Sequence, residues 1–479
     1  MAYKDLRDWL GQVEKFNQLK KINQADWDLE MGAITELVYH EGQGTPPAIL
    51  FDEVPGYPPG FRALFGATCS PERMALTLGF PASIKTGLDL VKTYRDEVKK
   101  FEPIPPKFVD DGPILENVDR GDAVDVLKFP VPKMHELDGG RYIGTACLII
   151  TRDPDEGWVN FGAYRVMVHD EKRVAFYVSP GKHGNLQRQK YFERNEPCPV
   201  VVCVGQDPLL FLASGNEVAY GLSEYDYAGG FKGEPIEVIK AEYTGLPIPA
   251  RAEIVLEGEA VPGDMEREGP FGEWTGYYGS SARSEPVIQV KNVYYRNDPI
   301  LCCARPGRPP SDYSFSKCVV KSGMIWDELE KAGIPNVKGV WCHEAGGGRM
   351  FNIVSIKQSY PGHARQAAMV TSQCHAGAYL GRYVVVVDED IDPSNTFDVL
   401  WAIASRSEPA ESIEIIRRCW SGPLDPRIPV GKKGFNSRAV IDACRPYEWK
   451  DEFFPVVESS PELRSATLEK WRDTIFGRD

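Results

Sequence analysis

The chain has 479 residues, 42% apolar and 11% aromatic, which suits two or three packed domains and excludes a disordered chain. Its net charge of −14 and pI of about 5.2 repel phosphate backbones and exclude a nucleic-acid partner. Eleven scattered cysteines, odd in number and without a Cys-x-x-Cys pair, exclude a disulfide framework or zinc ribbon, and no apolar run approaches membrane-spanning length.

The opening stretch MAYKDLRDWLGQVEKFNQLKKI has no apolar core of the signal-peptide kind, so a cytoplasmic location with reduced thiols is expected. Residues 3–20 read as a helix, because Leu6, Trp9, Leu10, Val13 and Phe16 recur at three- and four-residue steps. PPAILFDEV and RALFGAT read as short buried strands between proline- and glycine-rich turns. The proline-rich connector FEPIPPKFVDDGPILENV, 101–118, marks a domain boundary. Beyond it, ACLIITRD, VAFYVSP, PVVVCVGQ, RAEIVLEGEAV and PVIQVKNVYYR predict many short strands, as in a barrel or folded sheet. From residue 312 helix-like and strand-like runs alternate. MIWDELEKAGI is an amphipathic helix ended at Gly333 and Pro335, RYVVVVDEDID a strand buried on both faces, and NTFDVLWAIASR the next helix. A last helix begins in SSPELRSATLEKWRDTIF, with Ser460 as N-cap and Pro461 in its first turn. The expected fold class is α+β multidomain: an α/β domain over 1–118, a β domain over 119–311, a second α/β domain over 312–455 and a terminal helix over 456–479.

Four segments carry residues with chemistry. In EGPFGEWTGYYG, 268–279, Glu268 and Glu273 flank Gly269-Pro270-Phe271-Gly272. On a straight strand, residues five apart face opposite sides; a Gly-Pro-x-Gly reversal brings both acids to one site. Such a pair suits divided labour, one carboxylate holding a cation and the other, in an apolar pocket, donating a proton. Phe271, Trp274, Tyr277 and Tyr278 can wall that pocket. The plain alternative is a solvated turn, with the aromatics as core. WVNFGAYRVMV holds Asn160 and Arg165, SPGKHGNLQ holds Lys182 and His183, and GGFKGEP holds Glu234. Asn160, His183 and Glu234 form a plausible oxygen and nitrogen donor set for Mn²⁺ or Mg²⁺, though their separations match no local metal motif. The glycines of HEAGGGRM, Gly346–Gly348, lack the Gly-Lys-Ser/Thr ending of a phosphate loop. His135 and His363 stand in loops without a visible partner, and DEDID, 388–392, reads as a solvated strand end.

Taken in order, DGGRYIGTACLIITRDPDEGWVNFGAYRV, SPGKHG, GGFKGEP and EGPFGEWTGYYG resemble the UbiD family of decarboxylases, over essentially the whole chain. The resemblance implies an N-terminal α/β domain, a central flavin-binding split β-barrel and a C-terminal α/β domain with a terminal helix. It implies prenylated FMN with Mn²⁺ or Mg²⁺, and K⁺ as a further ion. The reaction implied is reversible, non-oxidative loss of CO₂ from an unsaturated or aromatic acid. The family's catalytic Glu-Arg-Glu set falls on Glu268, Arg165 and Glu273. Its metal ligands, tying the ion to the cofactor phosphate, fall on Asn160, His183 and Glu234. Further cofactor contacts fall on Ala163, Tyr164, Arg165, Lys182 and His183. Where members carry a lysine near the phosphate, this chain has His375, and a neutral imidazole neutralises phosphate less well. Trp274-Thr275-Gly276 departs from members acting on alkene acids, so an aromatic or heteroaromatic acid is expected. The implied partners are that acid, CO₂, a flavin prenyltransferase supplying cofactor, and further copies of this chain. Rival readings are a plain FMN oxidoreductase and a non-catalytic subunit of a larger carboxylase.

Overall fold

The computed structural model describes residues 3–476 except 85, 217, 430, 431 and 433. The first helix spans Leu6–Lys15 and is shorter than the 3–20 expected. Asp5 caps it by accepting from the Arg7 and Asp8 N–H groups, and Leu6, Trp9, Leu10 and Val13 form its buried face. Asn17, at φ 56°, turns the chain into the strand Leu19–Asn23. That strand opens a four-stranded sheet with Ala48–Asp52, Arg62–Phe65 and Ile300–Cys302, in that order. The N-terminal sheet is thus completed by a strand from far downstream of its own hairpin, at about the limit of the β-rich region.

The central sheet has the order Arg173–Ala175, Arg283–Tyr295, Ile254–Glu268, Cys198–Gly205, Leu148–Arg152, Val159–Gly162, with Asn117–Arg120 also pairing Arg283–Tyr295. Every one of these pairings is antiparallel. Among the described residues this strand path is open and does not close into a barrel. One face buries Ile149, Val200, Val202, Leu256 and Ile288 in a core of their own. The C-terminal sheet runs Val337–Cys342, Phe351–Ile356, Tyr383–Asp388, Phe435–Ala443, Ile413–Trp420. Tyr383–Asp388 lies parallel to both its neighbours, and all of it beyond Tyr383 is buried. A continuous apolar run is what such a two-sided strand requires.

The N- and C-terminal α/β regions are joined by helices Gly87–Lys99 and Ser314–Lys331. Arg95 on the first ion-pairs with Asp327 and Glu330 on the second and lies 4.4 Å over Trp326. In the acidic strand end DEDID, Glu389, Asp390 and Asp392 are exposed as expected, while Asp388 is buried; Asp388 and Asp390 bind Arg406, and both also meet Arg445. All eleven cysteines are free and nine are buried. Among the described residues no helix is long and apolar enough to cross a membrane. The last helix, Pro461–Phe476, has the Ser460 hydroxyl accepting from Leu463 N–H and buries none of its residues, leaving Leu463, Leu468, Trp471 and Ile475 exposed.

Candidate active site

Strands Ile254–Glu268 and Arg283–Tyr295 run side by side, and Glu268 opposite Arg283 is their last pair. The connection, 269–282, folds back over the sheet end. Gly269 starts it at φ 81°, a region that favours glycine, and precedes Pro270 through a cis peptide bond. Gly139 N–H donates to Pro270 O at 2.8 Å, an approach so close that a Cβ on Gly139 would collide with the Gly269 carbonyl. The short strands Tyr142–Gly144 and Val166–Met167 pair and bring Tyr142 and Arg165 beneath the same turn.

There Arg165 meets both acids. Its Nε and Nη2 donate to Glu268 Oε1 and Oε2, each at 2.8 Å, and its Nη1 donates to Glu273 Oε1 at 3.1 Å. Glu268 has no exposed surface, and its Oε1 also accepts from the Tyr142 hydroxyl at 3.1 Å. The Tyr142 ring stacks on Phe271 at 3.9 Å, and with Met167 and Ala175 these form a small core under the turn. Burial pulls the Arg165 guanidinium down, but the Glu268 bonds and the charges of Glu268 and Glu273 outweigh it, so it stays above its ordinary value. Burial pushes the Glu273 carboxyl above its ordinary value, against the pull of Arg165 and Arg283. Glu268 thus holds the fork of the arginine, while Glu273 shares one donor in a poorly solvated place.

Of the four aromatic residues in the turn, Phe271 and Trp274 wall it. A Cβ on Gly347 would collide with the Trp274 ring, so the Gly346–Gly348 loop packs on the turn. Arg349 lies 5.8 Å from the Trp274 ring centroid and 5.5 Å from that of Tyr379. Tyr277 is 63% exposed, and the Tyr278 hydroxyl donates to Asp138 at 3.0 Å, an acid that also bonds His135. His363 is fully buried and its Nδ1 accepts from Ser359 N–H.

A second corner lies at the other end of the Val159–Gly162 strand. Asn160 is 2% exposed, and its Nδ2 makes no hydrogen bond. The Tyr164 side chain packs against Gly184, second residue of the helix His183–Glu193, where a Cβ would lie 3.1 Å from the ring. Lys182 is the N-cap of that helix, and Ala163 N–H donates to Ser214 O. His183 stands 5.0 Å from Trp158 and 5.8 Å from Tyr220, in a pocket of about 280 Å³; burial, then Lys182, holds it below its ordinary value. Glu234 is exposed. It follows the helix Glu224–Lys232, pairs with Lys232 at 3.3 Å, and its side chain is 61% exposed. The buried acid beside Asn160 is Glu224, whose Oε2 accepts from Phe161 N–H at 2.8 Å and whose carboxyl burial pushes up to about 7. Sequence reasoning missed it because an acid in a helix's first turn is unremarkable. His375 heads the short helix His375–Ala378 of the C-terminal region. Among the described residues no three His, Cys, Asp or Glu side chains converge as a metal group. Asn160, His183 and Glu224 nonetheless fit a divalent ion with a phosphate: an orphaned buried amide, which flipped offers its Oδ1, a neutral imidazole, a carboxylate short of solvation, and a helix N-terminus.

Comparison with known proteins places the chain among the carboxy-lyases. Family models match in sequence along the chain: the N-terminal domain of 3-octaprenyl-4-hydroxybenzoate carboxy-lyase over residues 10–88, its Rift-related domain over 107–309 and its C-terminal domain over 316–443. A pyrrole-2-carboxylic acid decarboxylase of Pseudomonas aeruginosa is 31% identical, covering 99% of this chain and 98% of that protein. A phenolic acid decarboxylase of Bacillus subtilis is 31% identical over 93% of each. The open form of vanillic acid decarboxylase from Sedimentibacter hydroxybenzoicus superposes with a TM-score of 0.87 at 28% identity, covering 99% of this chain and 100% of that one. An evolved dimeric form of the UbiD-class enzyme HmfF from Pelotomaculum thermopropionicum, in complex with prFMN, gives 0.82 at 26% identity, covering 98% and 99%. The chain belongs to the UbiD family of decarboxylases.

Proposed function

We propose that the chain catalyses reversible, non-oxidative decarboxylation of an aromatic or heteroaromatic carboxylic acid at the Glu268–Arg165–Glu273 set. The observation that carries this is the unequal sharing of Arg165: Glu268 takes two of its donors and Glu273 one. Arg165 holds the substrate carboxylate with the donor capacity Glu268 leaves free, and Glu268 keeps it oriented by charge-assisted bonds. Glu273, kept short of water, holds its proton more tightly than an ordinary carboxyl and gives it to the carbon that loses CO₂. Prenylated FMN, when bound, supplies the electron-accepting centre for the charge that CO₂ leaves behind. The acids named for the relatives, pyrrole-2-carboxylic, phenolic and vanillic, support a ring-bearing substrate.

The cofactor's phosphate and a Mn²⁺ or Mg²⁺ ion belong in our reading to the second corner, held by Asn160, His183 and Glu224, with Ala163, Tyr164 and Lys182 alongside. Glu224 takes the place first assigned to Glu234, because only Glu224 is buried against the Asn160 strand. K⁺ and the His375 contact stay as parts of this reading, as do a split-barrel character for the central sheet, the domain limits at 118, 311 and 455, cytoplasmic residence, and cofactor supply by a flavin prenyltransferase. A homo-oligomer is expected too, from the exposed apolar residues of the last helix; a monomer mass of 53.5 kDa by light scattering at micromolar concentration refutes it. The carboxy-lyase relatives do not favour an oxidoreductase or a non-catalytic subunit. The experiment is CO₂ release from a panel of ring-bearing acids after co-expression with a flavin prenyltransferase. Full cofactor content without turnover on any such acid removes the reading.

A further inference from the structure

His135, Asp138 and the Tyr278 hydroxyl have no task in the chemistry above, yet they close on the turn that carries Glu273. The Asp138 side chain has no exposed surface. Its Oδ2 accepts from the His135 N–H at 3.0 Å and lies 3.2 Å from His135 Nδ1, while its Oδ1 accepts from the Tyr278 hydroxyl at 3.0 Å. Burying a carboxylate is costly unless donors meet it, and here both oxygens are committed to holding neighbours. The next residue, Gly139, donates its N–H to Pro270 O at 2.8 Å. Segment 135–139 therefore grips the turn on either side of Glu273, at Pro270 and at Tyr278. Between the two grips, Gly272 lies against His135 and Pro306: a Cβ there would stand 3.8 Å from His135 Cε1 and 3.4 Å from Pro306 Cγ.

Tyr278 stands between the two residues on which Glu273 rests. Glu273 N–H donates to Tyr277 O at 3.0 Å, and Gly276 N–H donates to Glu273 O at 2.9 Å. Beyond Tyr278, a Cβ on Gly279 would lie 3.3 Å from Glu273 Cγ, so the side chain of the acid runs along the Gly279 backbone. Main chain and side chain of Glu273 thus both lean on the strip 277–279. The bond from Tyr278 to Asp138 fastens that strip to segment 135–139. Arg165 gives Glu273 a single donor and Glu268 two, so much of the placement of Glu273 falls to its own turn.

We propose that Tyr278 and Asp138 are positioning residues for the decarboxylation: their hydrogen bond tethers the strip 277–279 and so holds Glu273 where it reaches the carbon that loses CO₂, a role that rests on the reading of Glu273 as proton donor. They act through Glu273 and leave Arg165 and Glu268 to hold the carboxylate.

Tyr278→Phe keeps the ring and removes the tether. A catalytic group misplaced by about 1 Å can cost about 100-fold, so kcat should fall by about 10- to 100-fold. KM should hold, because Arg165 keeps its bonds to Glu268 and still receives the carboxylate. Asp138→Ala should give the same split. Glu273 must carry a proton to donate it, so turnover falls along an alkaline limb as pH rises through its titration. Neither variant alters Arg165, Arg283, Glu268 or Tyr313, the groups that act on this carboxyl. The limb should therefore stay in place while the plateau below it drops. In the Glu273→Gln background Tyr278→Phe should cost little more, since the acid it positions is gone. Amide exchange of the full-length chain should quicken over 269–282 and stay as it was over Ile254–Glu268. Unchanged turnover, a rise in KM that matches the loss in kcat, a limb that moves, or a full additive loss on top of Glu273→Gln reduces the tether to a structural contact and overturns the proposal. Should Asp138→Ala not fold, Tyr278→Phe decides alone. Near-normal turnover in Glu273→Gln itself means instead that the donor reading has failed, and amide exchange over 269–282 then decides whether the tether holds Glu273 in place.

Discussion

The two acid-bearing corners of this molecule differ in how completely they answer their own charges. At the Glu268–Glu273 turn every charge is met within the chain: Arg165 takes both acids, and Tyr142 adds a donor. At the Asn160 corner the chain leaves an amide without a partner and a carboxylate held by one backbone N–H. A complete set of charges can act on a passing substrate without reorganising. An incomplete one is a socket, costly when empty and suited to a permanent guest. The difference therefore separates the residues that do chemistry from those that hold what does it.

The strongest way to break this contrast is Arg165→Met. It strands a fully buried Glu268 with Tyr142 as its remaining donor, and breaking a buried pair in this way costs about 3–5 kcal/mol. Against the stability of an ordinary domain, about 5–15 kcal/mol, that is large. Urea unfolding should show the loss, with no measurable turnover. A variant as stable as wild type means that the turn does not depend on its own ion pair. Next comes Glu273→Gln, which keeps shape and a hydrogen bond but cannot deliver a proton. Turnover should fall on the order of 10²- to 10⁴-fold, about 3–5 kcal/mol of barrier, with cofactor content unchanged. Hydrogen–deuterium exchange at the reacting carbon of the product should fall in parallel, since it runs the same transfer backwards.

The socket is tested by what copurifies. His183→Ala and Glu224→Gln should lose metal and flavin together, by about 10- to 100-fold in affinity, while Glu234→Gln keeps both. Metal analysis and flavin absorbance on the same preparations decide it. Loss in Glu234→Gln and retention in Glu224→Gln would restore the acid first assigned from the sequence. Residual turnover should track flavin content, because none of these residues lies in the Glu268–Arg165–Glu273 set.

How legible each corner was in the sequence follows from the same difference. Glu268, Arg165 and Glu273 sit in dense motifs whose turn chemistry, Gly269-Pro270 above all, forces the reversal that joins them. The socket's Asn160, His183 and Glu224 come from three separate elements, and its acid is chosen by burial, which spacing does not reveal. Glu224 and Glu234 are ten residues apart and equally acidic on paper, yet one faces Phe161 and the other Lys232 and solvent. The barrel expectation ran past what strand count can tell, since closure depends on register and stagger between strands far apart in sequence. The completion of the N-terminal sheet by Ile300–Cys302 was hidden for the same reason. The strand buried on both faces, Tyr383–Asp388, was legible because its apolar run is continuous.

Tyr142→Phe is the finest probe of the contrast and carries the smallest expected effect. The phenol gives Glu268 a third donor, at 3.1 Å, beyond the two of Arg165. Its removal leaves the ring stacked on Phe271 and the small core beneath the turn intact, so packing changes little. A hydrogen bond to a charged acceptor contributes about 1.5–3 kcal/mol, and an acceptor that keeps two strong bonds should lose only the lower end of that range. Part of the loss falls on stability and part on the orientation of Arg165. Turnover should therefore drop by about tenfold or less, with KM rising along with it, because Arg165 is the residue that receives the carboxylate. The alkaline limb set by Glu273 should stay in place, since the phenol addresses the other acid. A limb that moves in Tyr142→Phe would mean that the two acids share their proton as one unit, and the division between a holding and a donating carboxylate would have to be abandoned.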